Sequence, residues 1–221
     1  ETFEIQNTRE GFNLNAVFAI DEQNVWVVGE NSLIYRTTDG GATWTWTTTE
    51  FLSTLIDVYF IDENKGWIGV NTDSNFILYY TEDGGNTFNK IIEESSSFNI
   101  VDMEFSTPTN GYLLSYDGEI YYTNDNSNFS LIYNSSTSAA GDDFGFHKLS
   151  VFNNSLIAFG ENASSGESIL IEGINNTFSY SVFDTWIWDV QQLNENEAFI
   201  SNNINMNYGL EENVFFKSNS P

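Results

Sequence analysis

The stretch Phe18-Ala-Ile-Asp-Glu-Gln-Asn-Val-Trp26 returns 41 residues later as Tyr59-Phe-Ile-Asp-Glu-Asn-Lys-Gly-Trp67. Each copy leads into a second shared motif, Thr37-Thr-Asp-Gly-Gly-Ala-Thr-Trp44 or Thr81-Glu-Asp-Gly-Gly-Asn-Thr-Phe88, without gaps in either motif. Between the motifs lie short segments of alternating apolar and polar residues bounded by Gly, Asn and Asp, the pattern of half-buried strands joined by tight turns. In the second copy this reads as four strands, about Ile56 to Ile61, Gly66 to Val70, Phe76 to Tyr80 and Thr87 to Ile92. No segment sustains a helical period.

Three weaker copies follow. A third unit keeps Asn110-Gly111-Tyr112, a turn at Asp117-Gly118 and a degenerate Thr123-Asn-Asp-Asn-Ser-Asn-Phe129. A fourth keeps Leu156-Ile-Ala-Phe-Gly160 and Asn175-Asn-Thr-Phe178, and a fifth runs from Trp186-Ile-Trp-Asp-Val190 through Glu197-Ala-Phe199 to Val214-Phe-Phe-Lys-Ser218. The fifth lacks its closing aromatic strand, but Thr2-Phe3-Glu4-Ile5 reads like the closing strands at Thr43-Trp44, Thr87-Phe88 and Thr177-Phe178. The marker aromatics Trp44, Phe88, Phe129 and Phe178 fall 44, 41 and 49 residues apart. Repeats of this length, each of four short strands, are the sequence signature of propeller blades. The expected architecture is a single all-β domain over residues 1–221: a five-bladed β-propeller of four-stranded antiparallel blades, closed by Thr2 to Gln6 completing the last blade beside Val214 to Lys217.

Composition bounds the function. The 221 residues carry 6 Lys and Arg against 32 Asp and Glu, a formal charge of −26, and 36 aromatic residues supply mass for a large core. That charge repels phosphate backbones and anionic headgroups, so no nucleic-acid partner is expected. The absence of Cys removes disulfides, thiolate zinc sites and cysteine nucleophiles. No apolar run approaches the ~20 residues of a membrane span, which leaves attachment through a lipid anchor or an outer-membrane complex open. The 29 Asn, with abundant Ser and Thr, resemble the composition of bacterial surface and secreted proteins, and the opening Glu1-Thr2-Phe3-Glu4 reads as a chain already trimmed of a leader.

Thr37-x-Asp39-x-Gly41-x-Thr43-Trp44 and Thr81-x-Asp83-x-Gly85-x-Thr87-Phe88 resemble the Asp-box (BNR-type) turn of sialidase-type propellers, and with the upstream Trp26 and Trp67 they resemble the repeats of the Ycf48-like photosystem II assembly factors. The resemblance touches all five units, strongly in two. It implies a propeller in which the Asp accepts turn NH groups, a Gly takes a left-handed dihedral and the aromatic packs between blades; it says little about activity. The photosystem factors resemble seven-bladed rings with a basic partner patch, which five units and a charge of −26 do not match. Sialidases hold a substrate carboxylate with three arginines, and only Arg9 and Arg36 exist here.

Candidate chemistry is sparse. His147 is the only histidine, which excludes His-based metal clusters and leaves one imidazole for any triad, and neither a nucleophile elbow nor a phosphate loop is present. Aligning the units on Trp26, Trp67, Tyr112 and Phe199 places Ala16, Asp57, Asp102 and Asp189 at one position, with Lys148 or His147 there in the fourth unit. The apolar neighbours Val58, Met103 and Val190 mark these first strands as buried, so Asp57, Asp102 and Asp189 are the candidate metal ligands. Calcium suits such oxygen donors; a solvated channel and a catalytic carboxylate pair are the alternatives. Trp186 and Trp188 flank the fifth-unit position and are expected between blades.

Two segments break the repeat, Asn134 to Gly145 and Ser201 to Glu212, and unexplained loop length in a tight scaffold tends to carry function. The second holds Ile204, Met206, Tyr208 and Leu210, a plausible set of partner anchors. The expected function is a non-enzymatic, extracytoplasmic recognition or scaffold propeller that binds a protein, a component of a bacterial cell-surface or secretion assembly with no required cofactor. The alternatives are a glycan-binding, lectin-like propeller and a carboxylate-pair glycoside hydrolase.

Overall fold

The computed structural model describes residues 11–49, 53–72, 75–95, 99–135, 144–153, 155–162, 165–174, 177–183, 186–194, 197–203 and 213–217. Contacts divide the chain into two compact units, Glu1–Ser96 and Ser97–Pro221.

The first unit holds two four-stranded antiparallel meanders. One is β1 (Leu14–Ala19), β2 (Val25–Gly29), β3 (Leu33–Thr37) and β4 (Thr45–Thr48); the other is β5 (Thr54–Phe60), β6 (Gly66–Asn71), β7 (Asn75–Thr81) and β8 (Asn89–Ser95). Their middle strands are covered on both faces and so read as near-continuous apolar runs, as in Ile68-Gly69-Val70. The two sheets share one core. Trp26, wholly buried, stacks on Phe60 with ring centroids 3.8 Å apart and donates its indole NH to Gly84 O at 3.2 Å. Val28, Leu55, Val58, Ile68 and Val70 complete it.

The second unit holds three sheets: β9 (Ile100–Phe105) to β12 (Ser130–Asn134) through β10 (Gly111–Ser115) and β11 (Glu119–Thr123); β13 (Gly145–Phe152) to β16 (Thr177–Phe183) through β14 (Ser155–Glu161) and β15 (Ser168–Ile174); and β17 (Trp186–Asn194), β18 (Glu197–Asn203) and β19 (Asn213–Lys217). Phe144, Phe146, Leu149 and Ala158 join Leu114 and Ile120 in one core; Phe159, Leu170, Ile187, Val190 and Ile200 form another. The all-β plan of five successive antiparallel sheets matches the five-bladed expectation. The fifth sheet has three strands among the described residues; Thr2 to Gln6, assigned to its fourth place, lies outside them.

The two sequence motifs recur together because they are halves of one hydrogen-bonded corner. Asp21 Oδ1 accepts the NH groups of Gln23 and Asn24, both at 2.7 Å, and Asp62 Oδ1 accepts those of Asn64 and Lys65, both at 2.8 Å. The loops so shaped accept from the second motif: Gly40 N donates to Gln23 O at 3.1 Å and Gly84 N to Asn64 O at 2.8 Å. In the second motif Thr43 N and the Thr37 hydroxyl both donate to Asp39 Oδ1 at 2.8 Å, and Thr87 and Thr81 repeat this on Asp83. Hydrogen bonds from Thr43 hold Asp39 below the usual carboxylate range; at Asp83 burial works the other way, and Thr87 and Thr81 outweigh it. The degenerate third copy, one residue shorter, keeps the Asp-centred turn and its first left-handed position. Asp125 accepts from Thr123 and Asn128, and Asn126 at φ 66° takes the left-handed place of Gly40 (φ 69°) and Gly84 (φ 72°), a region that Asn tolerates.

Candidate functional site

Every sheet opens with a β-bulge at one position. The first strand skips Asn15, Ile56, Val101, His147 and Trp188 in turn, and pairing resumes at Ala16↔Val28, Asp57↔Gly69, Asp102↔Leu114, Lys148↔Phe159 and Asp189↔Ser201. The sequence alignment of Ala16, Asp57, Asp102 and Asp189 is therefore a true structural register. The fourth-unit choice resolves to Lys148, with His147 the extra residue of the bulge. A bulge turns a side chain away from simple alternation and steepens the local twist, which recurs here at the same height in each sheet.

The three aspartates share a local bond and differ in burial. Asp57 Oδ1 accepts Val58 N at 2.9 Å, Asp102 Oδ1 accepts Met103 N at 3.1 Å and Asp189 Oδ1 accepts Val190 N at 2.9 Å. Val58, Met103 and Val190 are buried, as expected, yet Asp102 alone of the three carboxylates is buried; Asp57 is half-buried and Asp189 exposed. Asp57 belongs to the first unit and the other two to the second. Among the described residues no group of three or more His, Asp or Glu side chains is placed to hold a metal ion. Ile204, Met206, Tyr208 and Leu210 lie outside the described residues, and of Trp186 and Trp188 only the backbone is described.

Around Asp102 the second unit builds a carboxylate clasp between β9 and β13. Asp102 Oδ2 accepts Leu149 N at 2.7 Å, and Lys148 Nζ approaches Oδ2 at 3.3 Å and Oδ1 at 3.4 Å. Two residues on, Glu104 Oε2 accepts Val151 N. The next pair of first strands repeats that bond with a hydroxyl, since Ser150 Oγ accepts Gln192 N at 2.9 Å. Glu104 and Ser150 occupy one register position, pairing with Tyr112 and Ile157; Phe18 and Tyr59 fill it in the first unit, where their rings meet at 4.5 Å instead. Position along the first strand thus decides which side chain reaches the neighbouring sheet, and residue type decides whether it does so by ring contact, hydroxyl or carboxylate.

Burial pushes the Glu104 carboxyl up to about 8, with the negative charge of Asp102 adding to the rise and Val151 NH and Lys148 opposing it. Burial also raises Asp102, against the pull of Lys148 and the Leu149 NH. One lysine thus faces two carboxyls in a poorly hydrated seam, and one of them keeps its proton near neutrality. Both are turned onto backbone NH groups of β13, so the pair holds strands together and is not aimed at a substrate. Glu104 escapes the sequence reading because no other unit carries a carboxylate at its position; the readable signal is the first-strand register itself, with an acid where Phe18 and Tyr59 stand.

Arg36, one of the two arginines, is engaged inside the first unit. Its guanidinium donates to Gly84 O at 3.0 Å and Glu63 O at 3.1 Å and lies 5.0 Å from the centre of the Trp26 ring. No helix among the described residues is long and apolar enough to cross a membrane.

These features define a protein of the β-propeller class, and the solved structures that resemble it agree. Ycf48 from Cyanidioschyzon merolae matches with a TM-score of 0.65 at 14% identity, over 92% of this chain and 71% of that one. A structure of Ycf48 bound to D1 peptide matches with a TM-score of 0.55 at 16% identity, over 86% and 76%. The WD40 β-propeller domain of Doa1 matches with a TM-score of 0.61 at 15% identity, over 97% and 74%. No protein-family model matches the sequence, and no curated protein matches it significantly. At these identities the likeness establishes the fold.

Proposed function

We propose that this chain is a non-enzymatic recognition or scaffold propeller of the Asp-box, Ycf48-like kind, that it binds a protein partner, and that it works outside the cytoplasm as part of a bacterial cell-surface or secretion assembly. The observation that carries the reading is how the site chemistry is used: the buried carboxyl of Asp102, the half-buried one of Glu104, the arginine Arg36 and the turn aspartates all hold backbone groups in place. Such a molecule is a stiff frame whose variable part is its loops, which is where recognition is carried on rigid scaffolds. One structural neighbour is Ycf48 bound to D1 peptide, which supports a polypeptide as partner. The extracytoplasmic placement rests on the Asn-rich, acidic, Cys-free composition.

The partner surface is assigned to the segments 136–143 and 204–212, since Asn134, Phe144, Gly145 and Ser201 to Asn203 at the ends of the expected loops belong to strands or core, with Ile204, Met206, Tyr208 and Leu210 as apolar anchors. Affinity purification from the native host tests this. The full chain should recover a defined protein partner, and a form with both loops shortened to turns should fold with an unchanged melting temperature and lose it. Retention of every partner by the shortened form refutes the assignment.

A further inference from the structure

The first unit contains an open groove of about 600 Å³ whose use the reading above does not explain. It runs between β4 and the turn that leads into β8, and its walls include Thr47, Thr48, Tyr79, Asn86, Phe88 and Asn89. The volume falls within the roughly 300–1,000 Å³ of small-ligand sites. Its position follows from the repeat. All four residues of β4 are exposed, Thr47 and Thr48 among them, and Gly85, at φ 92°, lies where a β-carbon would meet the Phe88 ring.

The lining chemistry selects a ligand. Thr47, Thr48, Asn86 and Asn89 are exposed neutral groups that donate and accept hydrogen bonds. The aromatic residues of the wall are Tyr79, which is largely buried, and the half-buried Phe88. Lys90, which also lines the groove, is paired with Glu93 and so offers little to an anion; the net charge of −26 repels one further. Cations gain little either, since Asp83 is occupied by Thr81 and Thr87, and Glu93 by Lys90 and Asn75. A strongly apolar ligand would desolvate the threonine and asparagine groups without replacing their hydrogen bonds. What matches neutral hydroxyls and amides beside two aromatic residues is an uncharged polyhydroxylated chain, whose hydroxyls bond in both directions and whose C–H groups pack on aromatic side chains.

We infer that this groove is a binding site for a neutral oligosaccharide. The groove is lined by residues of the first unit and the protein-partner loops belong to the second, so each reading is tested by its own variants.

The test uses the full chain with chitotriose, cellotetraose and maltotetraose as probes and sialyllactose as the anionic comparison, read by amide chemical-shift changes in a nitrogen-15 spectrum. At least one neutral probe should shift amides of residues 47–49 and 86–90 at millimolar concentration, and sialyllactose should bind more weakly. Thr47→Val and Asn89→Ala replace exposed side chains and should keep the melting temperature, while each weakens the binding probe by about tenfold, near 1.4 kcal/mol. The inference is overturned if no neutral probe shifts the groove amides, if sialyllactose binds as well as the neutral probes, or if the shifts survive unchanged in both variants.

Discussion

Glu104→Gln should stabilise this protein, and more so as the pH rises. The substitution keeps the shape of the side chain and an oxygen to accept the Val151 NH, and removes the proton equilibrium of a largely buried carboxyl. In the folded protein that carboxyl titrates at about 8 against a reference of 4.5. A folded-state pKa raised above the unfolded value means that the native state binds the extra proton between the two. The stabilising contribution is present in full below about pH 4.5 and is lost as pH rises through 8. At about 1.36 kcal/mol for each unit, the ceiling is about 5 kcal/mol; water entering the seam and the paired Lys148 reduce it, and about 2–3 kcal/mol is the expected gain at pH 9. For a chain of this length that corresponds to roughly 5–10 °C in melting temperature. The turn aspartates Asp39, Asp83 and Asp125, held low by their hydrogen bonds, contribute in the opposite sense and lose their contribution as pH falls. They are identical in both proteins and cancel in the difference. Urea unfolding of wild type and variant from pH 5 to pH 9 measures that difference. A gap that stays flat with pH, or a variant less stable than wild type at pH 9, would refute the clasp and its protonation.

Lys148→Met removes the cation facing Asp102 and should cost about 1–3 kcal/mol at pH 7, with the loss shrinking as the pH falls and Asp102 takes up its proton; a loss that does not change on acidification would count against the pairing. Asn126→Ala removes the short polar side chain that lets this residue tolerate the left-handed region at φ 66° and should cost about 1 kcal/mol, whereas Asn126→Gly should be close to neutral, both by urea midpoint. Arg36→Met releases Glu63 O and leaves Gly84 O to the Trp26 indole alone, and should cost about 1–2 kcal/mol, while a fluorogenic sialoside assay should read background for both wild type and variant; turnover abolished by this substitution would contradict the structural role. Deleting residues 1–8, the expected closing strand, should lower the melting temperature of the whole chain, and an unchanged midpoint would reject closure through the N-terminus.

The parts of this fold that are legible in the sequence are those built from bonds within a few residues. Asp39 finds its acceptor geometry from Thr37 and Thr43, so the turn leaves its whole chemistry in one eight-residue motif, and even Thr123 to Phe129 keeps it once Asn126 is allowed for Gly. Boundaries are less legible for the same reason. The fourth strand of the second unit is expected from Thr87 but begins at Asn89, because Thr87 gives both its NH and its hydroxyl to Asp83 and belongs to the turn. The site was half legible. Register could be aligned from the second-strand aromatics, and it correctly brought Asp57, Asp102 and Asp189 to one position after the bulge. Burial could not, because it depends on what the next sheet places opposite. Asp102 meets Lys148 and the NH of Leu149, 46 and 47 residues away, whereas Asp189 stays exposed. Glu104 is the extreme case. Nothing within ten residues of it in sequence marks it, and its partner, Val151, lies 47 residues on. Its raised pKa is a property of the seam between two sheets, so a repeat alignment reveals it only when the column holding Phe18, Tyr59, Glu104, Ser150 and Gln191 is read together with the sheet each side chain faces within its own unit.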